Sequence, residues 1–275
     1  MSFADDMKTR SGSYFVFREA ANAEELLALL RLRYRVYRDS RLTKFCAENK
    51  EGIDLDAYDL RSKHFGLFLH SDGLDACPVG YERVVEDRFK GVEDNLATIL
   101  RWYPSIATEF RSNNQSIFPL LDYFPCAGSV SAIYRRCRIQ GKKLVEPGRF
   151  ALEQRVRSIA IARQFVTMIF AGLRADGVGY AILTCSPTHE RFYSQFGFRR
   201  LSGAGAKRIV CKGVSWVCLL GSADGLPDGV KDRVLAMVNV YRRTGQICYN
   251  PSNPDCFIEL VEKSEQCLSP AKAVA

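Results

Sequence analysis

Apolar and polar residues follow two different periods along the first third of the chain. A short apolar run at Tyr14–Arg18 predicts a strand, and leucines at helical spacing after Asn22 predict a helix that continues to Tyr37. A glutamate three residues after Asn22 gives this helix the pattern of a capped start. Two further apolar runs, His64–His70 and Pro78–Val85, are joined by a Ser-Asp-Gly turn and predict a hairpin.

Strand and helix patterns alternate in the second half of the chain. Lys143–Leu152 and Gly179–Thr184 have the pattern of strands, whereas Ser158–Arg174 and Thr188–Gln195 have the pattern of helices. Further strands fall within Arg208–Leu220. This alternation is typical of an α/β fold in which a central sheet carries helices on both faces.

The segment between these two parts, residues 86–140, has weak periodicity and many residues that break regular structure. It predicts one helix at Asn95–Phe110 and irregular chain at Phe118–Ala127, and we interpret it as an insertion in one domain. Beyond Leu226 the pattern predicts an amphipathic helix to about Arg243 and then a loosely ordered tail. The expected boundaries are a flexible N-terminus at 1–12, the main domain at 13–225, and the C-terminal helix with its tail at 226–275.

Charge and composition narrow the classes of partner. The 39 lysines and arginines exceed the 31 aspartates and glutamates, and the net charge of +8 favours acidic partners. The arginines are spread along the chain without a polybasic arm, zinc-finger spacing or an aromatic RNA-binding signature, so nucleic-acid binding is not expected. No apolar run is long enough to cross a membrane, and Met1–Ser13 is polar, so neither a transmembrane segment nor a signal peptide is expected.

The cysteines and histidines do not predict a metal centre. None of the ten cysteines forms a C-x-x-C pair, and His64, His70 and His189 lack the spacing of metal ligands. Cysteines inside apolar runs behave as small hydrophobic residues. We therefore expect reduced thiols, a cytoplasmic location and no bound metal.

Acids and arginines are interleaved in a pattern that points to a charged ligand. Bringing these charges together in a cleft costs free energy through desolvation and self-repulsion. A fold that does so usually binds a charged, zwitterionic or amine-bearing substrate there. The alternative is an acid–arginine network that only fixes a loop onto the sheet. The residues in question are Arg33, Tyr37, Asp54, Asp56, Asp59, Arg83, Glu146 and Arg149.

Two segments of the second half resemble the GNAT acyltransferase superfamily. Arg155–Ala160 resembles a degraded form of the R-x-x-G-x-G/A loop that opens a helix, where backbone N–H groups approach a phosphate. Phe192–Phe198 resembles the F-Y-x-x-x-G-F segment of the same superfamily. The resemblance implies the GNAT fold, an α/β fold with a central mixed, twisted sheet and helices on both faces.

Four motifs in the order of the chain resemble the acyl-homoserine lactone synthases and N-acyl amino acid synthases within that superfamily. Arg33–Tyr37 is similar to R-x-x-V-F, Asp54–Asp59 to E-x-D-x-Y-D, and Glu146–Phe150 to E-x-S-R-F, while Gly80–Arg83 places an arginine on the hairpin. The resemblance covers roughly residues 14 to 220. It extends to the acyltransferases that accompany exosortase sorting systems.

The resemblance implies aminolysis of a thioester by an amine. Glu146 is then the expected general base, or else the partner of Arg149 in a plain salt bridge. Tyr193 either protonates the leaving thiolate or packs beside it, and backbone N–H groups near Arg149–Ala151 stabilise the oxyanion. The acceptor is expected at Arg33, Tyr37, Asp54, Asp56, Asp59, Arg83 and Arg149, and the donor phosphopantetheine at Phe150, Ala151, Arg155, Arg157, Ser158 and Ala160.

Departures from the family pattern bear on the two substrates. The segment Arg41–Phe45 lacks the tryptophan that helps the lactone synthases form their S-adenosylmethionine pocket, Asp54 replaces a glutamate, and Gly148 replaces a serine. The expected acceptor is therefore an amino acid or a similar small amine. The expected donor is an acyl-phosphopantetheine thioester, on an acyl carrier protein or on coenzyme A, with no permanently bound cofactor. Basic residues suited to an acidic carrier protein are Lys142, Lys143, Arg155, Arg157 and Arg163.

Two alternatives remain beside this reading. One is an acyl-homoserine lactone synthase that uses S-adenosylmethionine. The other is a protein without catalytic activity that binds an acyl carrier protein or an acylated signal. Turnover of an acyl-carrier thioester to free thiol separates the enzymes from the binding protein.

Overall fold

A mixed β-sheet runs through the middle of the protein. The structure, a computed structural model, describes residues 13–46, 48–71, 74–87, 93–107, 116–124, 126–201 and 208–251. Its strands are β1 Tyr14–Glu19, β2 Ser62–Ser71, β3 Leu74–Glu86, β4 Lys143–Leu152, β5 Val178–Cys185, β6 Arg199–Arg200, β7 Ile209–Cys211, β8 Val214–Ser222 and β9 Gln246–Tyr249. Its helices are α1 Ala23–Arg38, α2 Asp94–Trp102, α3 Pro104–Ala107, α4 Ala127–Ile139, α5 Ile159–Ala175, α6 Glu190–Ser194 and α7 Asp228–Thr244.

The strand order creates an opening near the centre of the sheet. The order is β6-β8-β5-β4-β3-β2-β1-β9, with β7 paired to β8. Among the described strands, β4 and β5 form the only parallel pair, and their pairing stops at Val145 opposite Ala181. Both strands continue beyond this point without pairing to each other, to Leu152 and Cys185. A gap therefore separates their carboxyl-terminal ends.

Helix α1 begins as its sequence predicts. The Asn22 side chain accepts a hydrogen bond from the backbone N–H of Glu25 at 2.9 Å, and the Glu25 carboxylate accepts one from the backbone N–H of Ala21 at 2.8 Å. These two bonds satisfy donors that a helix start leaves without partners. The helix then carries buried leucines, Arg33 and Tyr37 towards the sheet.

Hydrophobic cores lie on both faces of the sheet. On one face, α5 and α7 pack over side chains that include Phe17, Phe65 and Leu183. On the other face, α1 packs over Phe68 and Tyr81, and α4 packs against β4. Successive side chains of a strand point to opposite faces, so each buried strand supplies both cores. The predicted α/β class with helices on both faces is confirmed.

Two elements differ from the sequence prediction. Helix α4 begins at Ala127, where the predicted irregular chain ends, and was not itself predicted. Strand β9 forms where a loose tail was predicted, paired to β1 through Val16 and Cys248. The helix predicted at Asn95–Phe110 appears as α2 and α3, and its last residues lie outside the described chain. The N-terminus at 1–12 and the tail beyond 251 also lie outside the described residues.

Candidate active site

A cleft of about 470 Å³ opens where β4 and β5 separate. One wall is apolar and comes from α5, through Ala162, Val166 and Ile169. The strand ends contribute Pro147–Phe150 and Leu183–Cys185 to the cleft. Ligand sites are typically concave and mostly apolar, with a few polar groups that orient the ligand, and this cleft has that composition.

A β-bulge on β4 shapes the floor of the cleft. Tyr81 pairs with Ala151 and Arg83 with Gly148, so two residues of β4, Arg149 and Phe150, oppose the single residue between them on β3. Arg149 has φ of 62°, in the left-handed region that L residues with a Cβ rarely occupy. Strain of this kind is of order 1–3 kcal/mol per residue and clusters at functional sites.

Arg33 is the centre of a buried acid–arginine network. It is fully buried, and its guanidinium donates to both carboxylate oxygens of Asp59, at 2.8 and 2.9 Å. Its Nε lies 2.7 Å from Asp54 Oδ2, and Nη2 donates to the Asp54 carbonyl. It also donates to the Tyr81 hydroxyl at 2.9 Å. These contacts occupy the guanidinium, and the acceptor role of Arg33 stays a prediction.

Arg83 and Arg149 extend the network to a third acid. Asp56 accepts from Arg83 Nη1 at 2.6 Å and from Arg149 Nη2 at 3.0 Å. Burial acts to raise the pKa of Asp56, but the charges of Arg83, Arg149 and Arg33 outweigh it and hold the pKa far below its usual range. The Asp56 carboxylate therefore stays ionised, and the ion pairs of Asp54, Asp56 and Asp59 fix the loop that carries them onto the sheet.

The predicted acceptor residues divide into two groups. Tyr37 and Arg149 line the cleft, with the Arg149 guanidinium 5.5 Å from the centre of the Tyr37 ring. Burial raises the pKa of Tyr37 to about 12, so its hydroxyl keeps its proton at neutral pH. The others, Arg33, Asp54, Asp56, Asp59 and Arg83, are not among the cleft-lining residues.

Glu146 is buried on the opposite face of β4 from the apolar wall of the cleft. Its neighbour Val145 belongs to the core under α5, and the strand alternation turns Glu146 to the other side, where its Oε2 accepts from the backbone N–H of Leu120 at 3.1 Å. Burial raises the pKa of Glu146 to about 8, against the lowering effect of that hydrogen bond. It does not pair with Arg149, which contacts Asp54 and Asp56 instead.

Glu82 is a cleft residue that was not among the predicted site residues, whereas its neighbour Arg83 was. It is 5% exposed, lines the cleft, and its Oε2 is buried without a hydrogen-bond partner in the described structure. Burial raises its pKa well above the usual range of a carboxyl group. The sequence did contain one indication that Glu82 faces the interior: it lies two positions before the apolar Val84, and residues two apart on a strand share a face.

The predicted donor residues are also divided. Phe150 and Arg157 line the cleft, and Arg157 Nη2 donates to the Leu152 carbonyl at 3.0 Å. Ser158 caps α5, and its hydroxyl accepts from the backbone N–H of Ile161 at 3.2 Å. Four of the predicted donor residues do not line the cleft: Ser158, Ala151, which is buried in the core under α1, and Arg155 and Ala160, which are exposed.

Tyr193 lines the cleft at the end of α6. Burial, together with the nearby Glu82 carboxylate, raises the pKa of Tyr193 well above its usual value. Its hydroxyl therefore remains protonated and is a hydrogen-bond donor in the cleft. A phenol with a raised pKa gives up its proton less readily than an ordinary tyrosine, which favours the positioning role over the acid role.

A basic groove of about 620 Å³ adjoins the cleft through Arg41, Ser186 and Val214. Its lining residues within the described chain include no carboxylate. The cleft itself is further lined by Trp216, and the centre of its ring lies 5.3 Å from the centre of the Phe45 ring. The basic side chains of the groove are Arg41, Lys44, Arg208 and Lys212.

The described residues lack some other features of binding and membrane proteins. No three of their histidines, cysteines, aspartates and glutamates are grouped so that they could hold a metal ion. None of the described helices has both the length and the apolar character needed to span a membrane. The cysteines in this part of the chain are free thiols.

Part of the second half of the chain matches a known family. Residues 122–216, which are 95 of the 275 residues, match the family model described as N-acyl amino acid synthase FeeM. The matched segment contains β4, α5, β5 and α6. Within this segment the match agrees with the predicted resemblance to the N-acyl amino acid synthases. No curated protein matches the chain.

Solved structures with a similar chain path include acyltransferases of several kinds. FeeM, an N-acyl amino acid synthase from uncultured soil microbes, is 18% identical, with 77% of this chain and 92% of that chain aligned at a TM-score of 0.47. The acyl-homoserine lactone synthase BjaI with MTA is 12% identical, with 82% and 90% aligned at 0.49. An acyl-CoA N-acyltransferase from Pseudomonas aeruginosa is 15% identical, with 76% and 98% aligned at 0.41.

Proposed function

We propose that the protein transfers a fatty acyl group from the thioester of an acyl carrier protein to the amine of an amino acid or a similar small acceptor. The observation that carries this proposal is the cleft between the separated ends of β4 and β5. It combines an apolar wall, a strained bulge and buried polar side chains, and it lies mostly within the segment that matches the N-acyl amino acid synthase family.

The apolar wall suits the acyl chain of the donor. Val166, Ile169, Phe170 and Leu173 follow one another along α5 at helical spacing and all line the cleft. The bulge removes β4 backbone groups from the regular ladder at Arg149 and Phe150, which makes their N–H groups candidates for the oxyanion. Removing one such donor in comparable acyl-transfer sites lowers kcat by about 100- to 1000-fold.

The proton of the incoming ammonium group needs an acceptor before or during attack. The family resemblance gives this role to Glu146, whose raised pKa of about 8 suits a base that works near neutral pH. The leaving thiolate needs less assistance because a thiol has a pKa of about 8.5. Tyr193 is proposed to hold the leaving sulfur by a hydrogen bond from its hydroxyl.

The acceptor carboxylate is proposed to bind at the Arg149 side of the cleft. Arg149 is the arginine of the network that lines the cleft, whereas Arg33 and Arg83 lie beneath it and hold the acidic loop. The basic groove beside the cleft adds positive charge at the same end. An anionic or zwitterionic acceptor is therefore favoured over a cation.

Acyl-homoserine lactone synthesis remains the second candidate. The segment Arg41–Phe45 lacks the tryptophan of the lactone synthases, but Trp216, from a distant part of the chain, places an aromatic ring beside Phe45. An aromatic face attracts a sulfonium cation such as that of S-adenosylmethionine. The cations of the groove oppose it, because S-adenosylmethionine carries a net positive charge.

Release of free thiol from an acyl carrier protein thioester tests the proposal. The rate should rise when a mixture of amino acids is added, and an amino acid should be acylated faster than its decarboxylated amine. Val36→Trp places a large ring in the cleft and should abolish release. Arg35→Trp, one residue earlier on the exposed side of α1, is the matched control and should retain it. If the rate of thiol release changes neither when an acceptor is added nor in Val36→Trp, the cleft is excluded as the site of transfer.

A further inference from the structure

Glu82 faces the bulge from the neighbouring strand. On the β2 side it pairs with Phe65, a residue of the core under α5, so its side chain points to that face. On the β4 side the ladder passes from Tyr81 to Arg83 and leaves Glu82 opposite Arg149 and Phe150. Its carboxyl group therefore lies at the point where the two strands give way to the cleft.

The burial of this carboxyl group has no structural compensation within the described chain. Buried polar side chains nearly always have hydrogen-bond partners, because an unpaired group keeps the full penalty of leaving water. Glu82 Oε2 has none, and no described cation lies within ion-pair distance. Arg83, the adjacent cation, is on the other strand face, where it contacts Asp56 at 2.6 Å and Asp59 at 3.4 Å.

The surroundings of Glu82 are polar and include Arg149 at the cleft, but no described cation lies within ion-pair distance of the Glu82 carboxyl group. Tyr37 of α1 and Tyr193 of α6 are close enough for the Glu82 charge to raise their pKa values. Both are hydrogen-bond donors and remain protonated at neutral pH. The titratable and charged groups that face this region are Tyr37, Arg83, Arg149, Cys185 and Tyr193. A cationic group that enters the cleft would be the missing partner.

We propose that Glu82 is the carboxylate that binds the ammonium group of the acceptor and takes its proton. This inference rests on the proposed amine acylation and reassigns the base that the family resemblance gives to Glu146. Glu146 does not line the cleft and has one oxygen bound to the Leu120 N–H. Glu82 lines the cleft and has a free oxygen.

The proton steps balance as follows. Glu82 carboxylate takes one proton from the ammonium group and becomes a carboxylic acid. The free amine attacks the thioester carbon, forming the C–N bond and a tetrahedral oxyanion. The C–S bond then breaks, the second nitrogen proton reaches the thiolate, and the products are the amide and a thiol. Glu82 finally releases its proton to water at the cleft mouth, so each turnover liberates one proton.

The raised pKa of Glu82 suits this exchange. Burial disfavours its charged form and raises its pKa, and an ammonium group that pairs with the carboxyl group favours the carboxylate. A carboxylate with a raised pKa is also the stronger base, because its pKa lies closer to that of the ammonium group from which it takes the proton.

Glu82→Gln is the discriminating variant because glutamine has the shape and the neutral charge of the carboxylic acid. If Glu82 is only a neutral packing residue, this variant keeps its activity. If Glu82 is the base, kcat/KM with the best amino acid should fall at least about 100-fold at pH 7. The deficit should then shrink at least tenfold by pH 9.5, because unprotonated acceptor becomes available and needs no base. A general packing defect would leave the deficit independent of pH.

Glu146→Gln and Glu82→Asp complete the experiment. Formation of an N-acyl amino acid together with free thiol by the wild type shows that the proposed function holds, so the absence of this product contradicts the function rather than the assignment. Glu82→Asp keeps a carboxyl group and should retain more activity than Glu82→Gln, with thermal unfolding used to confirm that each variant is folded. Near-normal turnover by folded Glu82→Gln, or a deficit that does not change with pH, overturns the assignment. A large loss confined to Glu146→Gln would return the base role to Glu146.

Discussion

Replacing Glu146 by glutamine should stabilise the folded protein, and the gain should grow with pH. Glu146 is 5% exposed, and burial raises its pKa from 4.5 to about 8. Below pH 4.5 the carboxyl group is protonated in both the folded and the unfolded chain, so it does not oppose folding. Between pH 4.5 and 8 the unfolded chain releases this proton and the folded chain holds it, so stability falls as pH rises.

The magnitude follows from the interval between the two pKa values. From 4.5 to about 8, at 1.36 kcal/mol per pH unit, the free energy of unfolding loses up to about 5 kcal/mol. This is large beside the 5–15 kcal/mol that typically separates a folded domain from its unfolded chain. Glutamine does not ionise, and its amide oxygen can still accept the hydrogen bond from the Leu120 N–H.

Urea unfolding at pH 5 and pH 8 measures the effect. The difference between Glu146→Gln and the wild type should be small at pH 5 and should reach several kcal/mol in favour of the variant at pH 8. Glu48→Gln, at an exposed position, is the control and should leave stability nearly unchanged at both values. Equal stability of Glu146→Gln and the wild type at pH 8 would refute the reasoning, because it would mean that the carboxyl group is solvated or paired in the folded state.

Three further predictions concern the network, the bulge and the donor. Arg33→Met removes the nearest cation from the buried Asp54 and Asp59 and should lower the free energy of unfolding by about 3–5 kcal/mol, whereas an unchanged urea midpoint would show that the network is not buried. Arg149→Asn should be about 1–2 kcal/mol more stable than Arg149→Val, since asparagine tolerates φ of 62° and valine does not; equal stability would contradict the left-handed conformation. Apparent affinity for acyl carrier protein should fall as salt rises, and a salt-independent affinity or equal use of acyl-coenzyme A would reject an acidic carrier as donor.

The sequence predicts most of the strands and helices because their patterns are local. The capped start of α1 and the apolar stripe of α5 each depend on residues a few positions apart. Strand β9 has only four residues and is fixed by pairing with β1, more than two hundred residues earlier, which no local pattern reveals. Helix α4 contains glycine and serine in its first turn, residues with low helix propensity, and it forms against β4.

The candidate site is predicted in its composition but not in its orientation. The interleaved acids and arginines do come together, as their spacing suggests. Whether each one faces the ligand depends on the strand register and on the bulge, which turns Arg149 and Glu82 towards the cleft while Arg33 stays beneath it. A one-residue shift in register exchanges the faces of a strand, so motif spacing alone cannot choose between Glu82 and its neighbour Arg83.

In the proposed function, the cleft joins an acyl group to an amine. The most direct test incubates the protein with an acyl carrier protein thioester and an amino acid, and measures both products, free thiol by a colorimetric reagent and amide by mass spectrometry. We expect one N-acyl amino acid for each thiol released, with both products lost together in Val36→Trp. Thiol released without any amide, or a lactone formed from S-adenosylmethionine in its place, would contradict it.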